Sequence, residues 1–182
     1  SFVYVLFMCW KKLIMSHTNT VNPTEIIALS LSNKDGIKTK VLPVVWDECW
    51  EQIKDEECDI YLLMGLASSR KTITIEKYAY NEKKASIPDN KGINGNSEKI
   101  AQDGDDRLET TLDINRLIEL LKTEGIEVRL SEDPGRYICN NLYYHALMSK
   151  KEALFVHLPS LENMALEKEK KAINIIINVL QQ

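Results

Sequence analysis

Cys139, His157 and Glu76 are the side chains whose types could supply a nucleophile, a base and an acid to orient the base. Cys139 lies in the stretch Ser131 to His145, SEDPGRYICNNLYYH, which reads as the end of a strand, a break at Pro134-Gly135, and a new helix. Apolar residues from Ile138 recur at Leu142, Tyr143, Ala146 and Leu147, so the cysteine is expected in or just before a first helical turn. Unpaired amides and the helix dipole favour an anion there, so the thiol is expected to gain acidity. Of the three histidines, His17 lies in a polar loop and His145 falls on the far side of the Cys139 helix, which leaves His157 as the better partner. Glu76, at the end of the alternating run Thr72 to Ile75, is a candidate for the third group.

The elements that must position these residues alternate. Phe2 to Met8 reads as a central strand. Pro23 opens a helix whose apolar side is Ile26, Ile27, Leu29 and Leu31. Thr39 to Val45 reads as a strand and Asp47 to Glu57 as a short amphipathic helix. Asp59 to Met64 is an apolar run closing on Gly65, the pattern of a parallel strand whose carboxyl end meets a functional loop. Asn81 to Arg107 reads as a long surface excursion. A helix over Leu112 to Leu121, a strand over Ile126 to Leu130, a buried strand over Ala153 to Pro159 and a helix over Leu161 to Leu180 follow. The interval from Cys139 to His157 suits a helix of about ten residues and a strand running back beside the Ile126 strand, with both residues at one sheet edge. The order argues an α/β fold, a three-layer α/β/α sandwich with a mostly parallel or mixed central sheet.

Composition narrows the class. At 182 residues, 44% hydrophobic and 27% charged, the chain is expected to form one domain over residues 1–182 with an atypical segment at 1–20. Opening on Ser1 with an internal Met15, it is expected to have a start that is missing or unusual. The net charge of −4, with basic residues scattered among acids, argues against nucleic acid as a partner. The apolar run SFVYVLFMCW is too short to span a bilayer. Four cysteines without a CxxC pair read as reduced thiols in the cytoplasm, and no His or Cys pair has metal-ligand spacing on one element. Trp46 and Trp50 read as packing residues.

Several motifs together resemble the pyroglutamyl-peptidase I (pyrrolidone-carboxylate peptidase) family of cysteine peptidases. GRYICN followed by NLYY is similar to its nucleophile segment, and ALFVHLP to its histidine strand. TITIEKYAYN is similar to the segment carrying the acid, and MGLASSR to its Gly-x-Ala-x-x-Arg turn. KASIPDNKG and VNPTE also fit, so the similarity runs from about Val21 to the end. The resemblance implies Cys139 as nucleophile, His157 as general base and acid, and Glu76 as its orienting group. It implies a lactam pocket at Asn22, Leu66, Ile87 and Ile138, with no metal or cofactor. The implied substrates are peptides with N-terminal pyroglutamate, cleaved through an acyl-enzyme by a monomer or homo-oligomer.

The sequence departs from the family at three places. The opening strand lacks the Thr-Gly-Phe-Gly-Pro-Phe turn, where Phe7 and Trp10 are the available aromatics. Ser86 stands where bacterial members carry Arg, and Leu66 where Gln is frequent. The alternative reading is therefore a catalytically lapsed family member serving as a binding or interaction module.

Overall fold

The computed structural model describes the backbone of residues 3–9 and all of residues 22–182. Six strands form the main sheet: β1 (Val3–Cys9), β2 (Ile37–Pro43), β3 (Ile60–Leu66), β4 (Ile73–Glu76), β9 (Val128–Ser131) and β10 (Glu152–Leu158), in the order β2-β1-β3-β10-β4-β9. The pairs β1–β2, β1–β3, β3–β10 and β4–β9 are parallel, and β4–β10 is antiparallel, which makes the sheet mixed. The runs 60–64 in β3 and 153–156 in β10 are continuously apolar because both sheet faces are covered.

Alternation along these strands feeds two cores. Leu62, Met64, Ile73, Ile75, Leu154 and Val156 pack with α1 (Pro23–Leu31), α3 (Ile114–Thr123) and α5 (Leu166–Leu180). Tyr61, Leu63, Ala153 and Phe155 pack on the other face with α2 (Glu48–Glu51) and α4 (Ile138–Met148). This is the three-layer α/β/α sandwich that the alternation implies. The helix starts are chemically explicit: Asn22 accepts from Thr24 N at 3.0 Å ahead of Pro23, and Asp113 accepts from Arg116 N at 3.0 Å. Among the described residues no helix is long and apolar enough to cross a membrane.

Four expectations change. The Asp47 helix shortens to Glu48–Glu51, with turns carrying the chain onward, and Asp47 itself has φ 60°. The last helix starts at Leu166, because residues 161–164 form a turn closed by Asn163 N and Met164 N on Ser160 O. The excursion from Asn81 to Arg107 is built rather than loose: β5 (Tyr78–Tyr80) pairs with β8 (Arg107–Glu109), and β6 (Lys83–Lys84) with β7 (Asn96–Glu98). Finally, β10 does not run beside β9. Strand β4 lies between them and runs opposite to β10.

What brings α4 to the sheet is therefore its own docking. Asn140 is fully buried; its Oδ1 accepts from Tyr80 N at 2.7 Å, and its Nδ2 donates to Tyr80 O at 2.8 Å and Glu82 O at 3.2 Å. A side-chain amide thus pairs with β5 as another strand would. Tyr143 Oη donates to Glu76 O at 2.9 Å one turn later. Truncation of Asn140 to Ala takes the side-chain acceptor from Tyr80 N, while Tyr80 O keeps its bond from Glu82 N at 2.8 Å. The substitution is expected to cost about 1–3 kcal/mol and to lower the thermal midpoint by roughly 2–12 °C, as read by calorimetry.

Candidate active site

Strand parity sets the site. In β3, Tyr61 and Leu63 face α4, so Gly65 does too; in β10, Ala153 and Phe155 face α4, so His157 follows. Gly65 and His157 are register partners. On the other side of β10, Thr74 lies opposite His157 and Glu76 opposite Phe155. The missing side chain of Gly65 makes room for the cysteine: a Cβ there would lie 3.0 Å from Cys139 Sγ and 3.1 Å from the Phe155 ring. The thiol therefore rests over Gly65, whose strand neighbours that of His157 at a spacing of about 5 Å.

His157 Nδ1 lies 2.7 Å from Glu76 Oε1. Glu76 is fully buried and His157 nearly so. The same carboxylate oxygen accepts from Arg70, which also donates to Thr74 Oγ1 and, through its other arm, to Asp133 O at 3.0 Å. Burial pushes the Glu76 carboxyl up, but the hydrogen bonds from His157 and Ser131 and the charge of Arg70 outweigh it and hold the group below its ordinary value. Burial lowers His157, Glu76 opposes that, and Arg70 adds to the lowering, so the net direction is down and the imidazole rests neutral. A neutral ring beside a carboxylate carries its proton on Nδ1 and leaves Nε2 as the base.

The expected acidification of Cys139 is not what the surroundings produce. The residue is the second of α4, as the spacing implies, and its backbone amide helps the thiolate. Burial of the sulfur dominates, however, and with the nearby Glu76 charge pushes the thiol up to about 12 despite Arg70. Desolvating an anion costs more than one helix terminus returns. The resting pair is a neutral thiol beside a neutral imidazole.

The four residues expected around a pocket do not all meet. Ile138 is fully buried immediately before the thiol. Ile87 is half exposed in a loop held near it: Tyr137 Oη donates to Pro88 O at 2.9 Å, and Asp89 receives Trp46 N at 3.1 Å and Ile93 N at 2.9 Å. Leu66 follows Gly65 and so alternates to the other face of the sheet, opposite Leu158. Asn22 spends its side-chain oxygen on the start of α1. The Phe7 side chain and Trp10, the expected pocket aromatics, and His17 lie outside what the structure describes. The sequence marks Arg70, Asp89 and Tyr137 only as members of the MGLASSR, KASIPDNKG and GRYICN motifs; their hydrogen-bonding roles, which join segments distant in the chain, are visible only in the structure. Trp46 does pack as expected, edge-on to Tyr137 with ring centroids 5.5 Å apart.

Residues 15–180 match the family model for pyroglutamyl peptidase. The chain is 32% identical over 159 residues to a pyrrolidone-carboxylate peptidase of Bacillus cytotoxicus, covering 80% of this chain and 74% of the relative. It is 34% identical over 164 residues to that of Thermosipho melanesiensis, covering 82% and 81%. The crystal structure of pyrrolidone carboxyl peptidase from Fervidobacterium islandicum superposes with a TM-score of 0.87 at 30% identity, covering 98% of this chain and 97% of that one.

The tight fit at Gly65 has a measurable consequence. Gly65→Ala drives a methyl into Cys139 Sγ and the Phe155 ring, and the expected cost is about 1–3 kcal/mol. Urea denaturation should show a lowered midpoint with an unchanged slope.

Proposed function

The chain belongs to the pyroglutamyl peptidase family, and we propose from that premise that it is a cysteine peptidase removing N-terminal pyroglutamate from peptides, with Cys139, His157 and Glu76 as its catalytic triad. The observation that carries this reading is the 2.7 Å contact of His157 with buried Glu76 on the sheet face where the Cys139 thiol rests. The order of events follows from the resting charges. Cys139 does not wait as a thiolate; His157 Nε2 takes the thiol proton as sulfur attacks the carbonyl between pyroglutamate and the next residue. Glu76 holds the ring in place and stabilises the imidazolium that forms.

The first-turn amides of α4, which receive no capping side chain from Tyr137, are the donors assigned to the developing oxyanion. His157 then returns its proton to the departing amine and leaves a thioester on Cys139. Water, deprotonated by Nε2, releases free pyroglutamate and restores the thiol. The lactam pocket is assigned to Ile138 and Ile87 as apolar walls; Leu66, on the opposite sheet face, and Asn22, engaged at the start of α1, are left out of it. The reaction needs no metal or cofactor in this scheme, and the enzyme is assigned to the cytoplasm.

The test is release of a fluorogenic amine from its pyroglutamyl amide under reducing conditions. Wild type should release it and Cys139→Ala should fall by at least about 10³-fold. The base works only when neutral, and burial lowers its pKa, so the acidic limb of kcat/KM should lie below the ordinary histidine value of 6.5. No release from folded wild type would favour a lapsed enzyme that serves as a binding module.

A further inference from the structure

Arg70 is the group at the site that the triad leaves unassigned, and its guanidinium spans two elements. One nitrogen, Nη1, reaches Glu76 Oε1 and Thr74 Oγ1 on β4; the other, Nη2, donates to Asp133 O at 3.0 Å. Asp133 begins the turn that delivers Cys139. Its carbonyl also receives Ser131 Oγ at 3.2 Å, and its carboxylate receives Gly135 N at 2.9 Å and Arg136 Nη1 at 2.6 Å. Gly135 then takes φ 81°, and Tyr137 leads into α4.

We propose that Arg70 is a positioning residue for the reaction: its forked guanidinium fixes the Glu76 carboxylate that orients His157 and, with its second arm, anchors the turn that sets the Cys139 thiol over Gly65. This rests on the peptidase reading. A fork can tie two acceptors with fixed geometry, which a lysine ammonium cannot reproduce at the same two places. The charged and titratable groups facing Arg70 are Glu76 from β4, His157 from β10, Cys139 from α4, and Asp133 with its partner Arg136 from the turn. Its positive charge favours the ionised form of Glu76 and of the thiol, and disfavours the imidazolium. Removing it therefore moves both the His157 limb and the Cys139 limb of the pH profile upward.

The experiment compares wild type, Arg70→Gln and Arg70→Lys on two readouts: the pH profile of kcat/KM on a pyroglutamyl amide, and the rate of iodoacetamide alkylation at Cys139 relative to Cys58, mapped by mass spectrometry in folded protein. Arg70→Gln should lose about 10–100-fold in kcat/KM, shift both limbs upward, and slow alkylation of Cys139 against Cys58. Arg70→Lys should restore the limbs and the alkylation ratio while kcat stays depressed, because charge returns without the fork. Should Arg70→Gln not fold, Arg70→Lys decides alone: wild-type kcat in that variant overturns the role of the fork. Folded Arg70→Gln with wild-type limbs and a wild-type alkylation ratio overturns the inference. An inactive wild type would defeat the peptidase reading, and the alkylation ratio would still decide the inference.

Discussion

A carboxylate with no exposure to water must be compensated or it will take up a proton, and the structure around Glu76 follows from that constraint. Its ionised form is sustained by His157 Nδ1 on one side and Arg70 on the other, and burial alone would push it the opposite way. The anion in turn dictates which nitrogen of His157 carries the proton. Glu76 can perform this role only because β4 enters the sheet between β10 and β9 and runs against β10, which puts residue 76 diagonal to residue 157 on the α4 face.

The helix that carries the thiol is held to the same framework by hydrogen bonds rather than by chain proximity. Asn140 pairs with the backbone of β5, Tyr143 reaches the carbonyl of Glu76, and Arg70 holds the turn before the helix. Gly65 removes the one side chain that would stand where the sulfur sits. Desolvation of the thiolate raises the pKa of Cys139, which makes proton transfer to His157 part of the attack itself.

Much of this was legible in the sequence. The apolar runs around Leu62 and Phe155 are long enough to identify strands covered on both faces, and Pro23 and Pro134-Gly135 mark where helices and turns begin. The two catalytic candidates of β10 and α4 were readable from motifs of neighbouring residues. Other features depend on contacts distant in sequence. That β4 separates β9 from β10 is a matter of sheet order, which local periodicity does not encode. The ladders within residues 78–109 are too short to alternate visibly. The helix terminus at Cys139 is visible in sequence, whereas the desolvation that opposes it depends on surroundings assembled from distant segments. The MGLASSR motif singles out Arg70, but what its two arms hold depends on segments far apart in the chain.

The central claim is that the resting site holds a neutral His157, protonated on Nδ1 toward an ionised Glu76, beside an un-ionised thiol. Long-range ¹⁵N–¹H correlation of the histidine rings near pH 7, assigned by His157→Gln, reports the protonation of each nitrogen directly. A neutral ring with its proton on Nδ1 and a bare Nε2 is the predicted result. An imidazolium signal with both nitrogens protonated would contradict the account, because it would mean that the site rests as a thiolate–imidazolium pair.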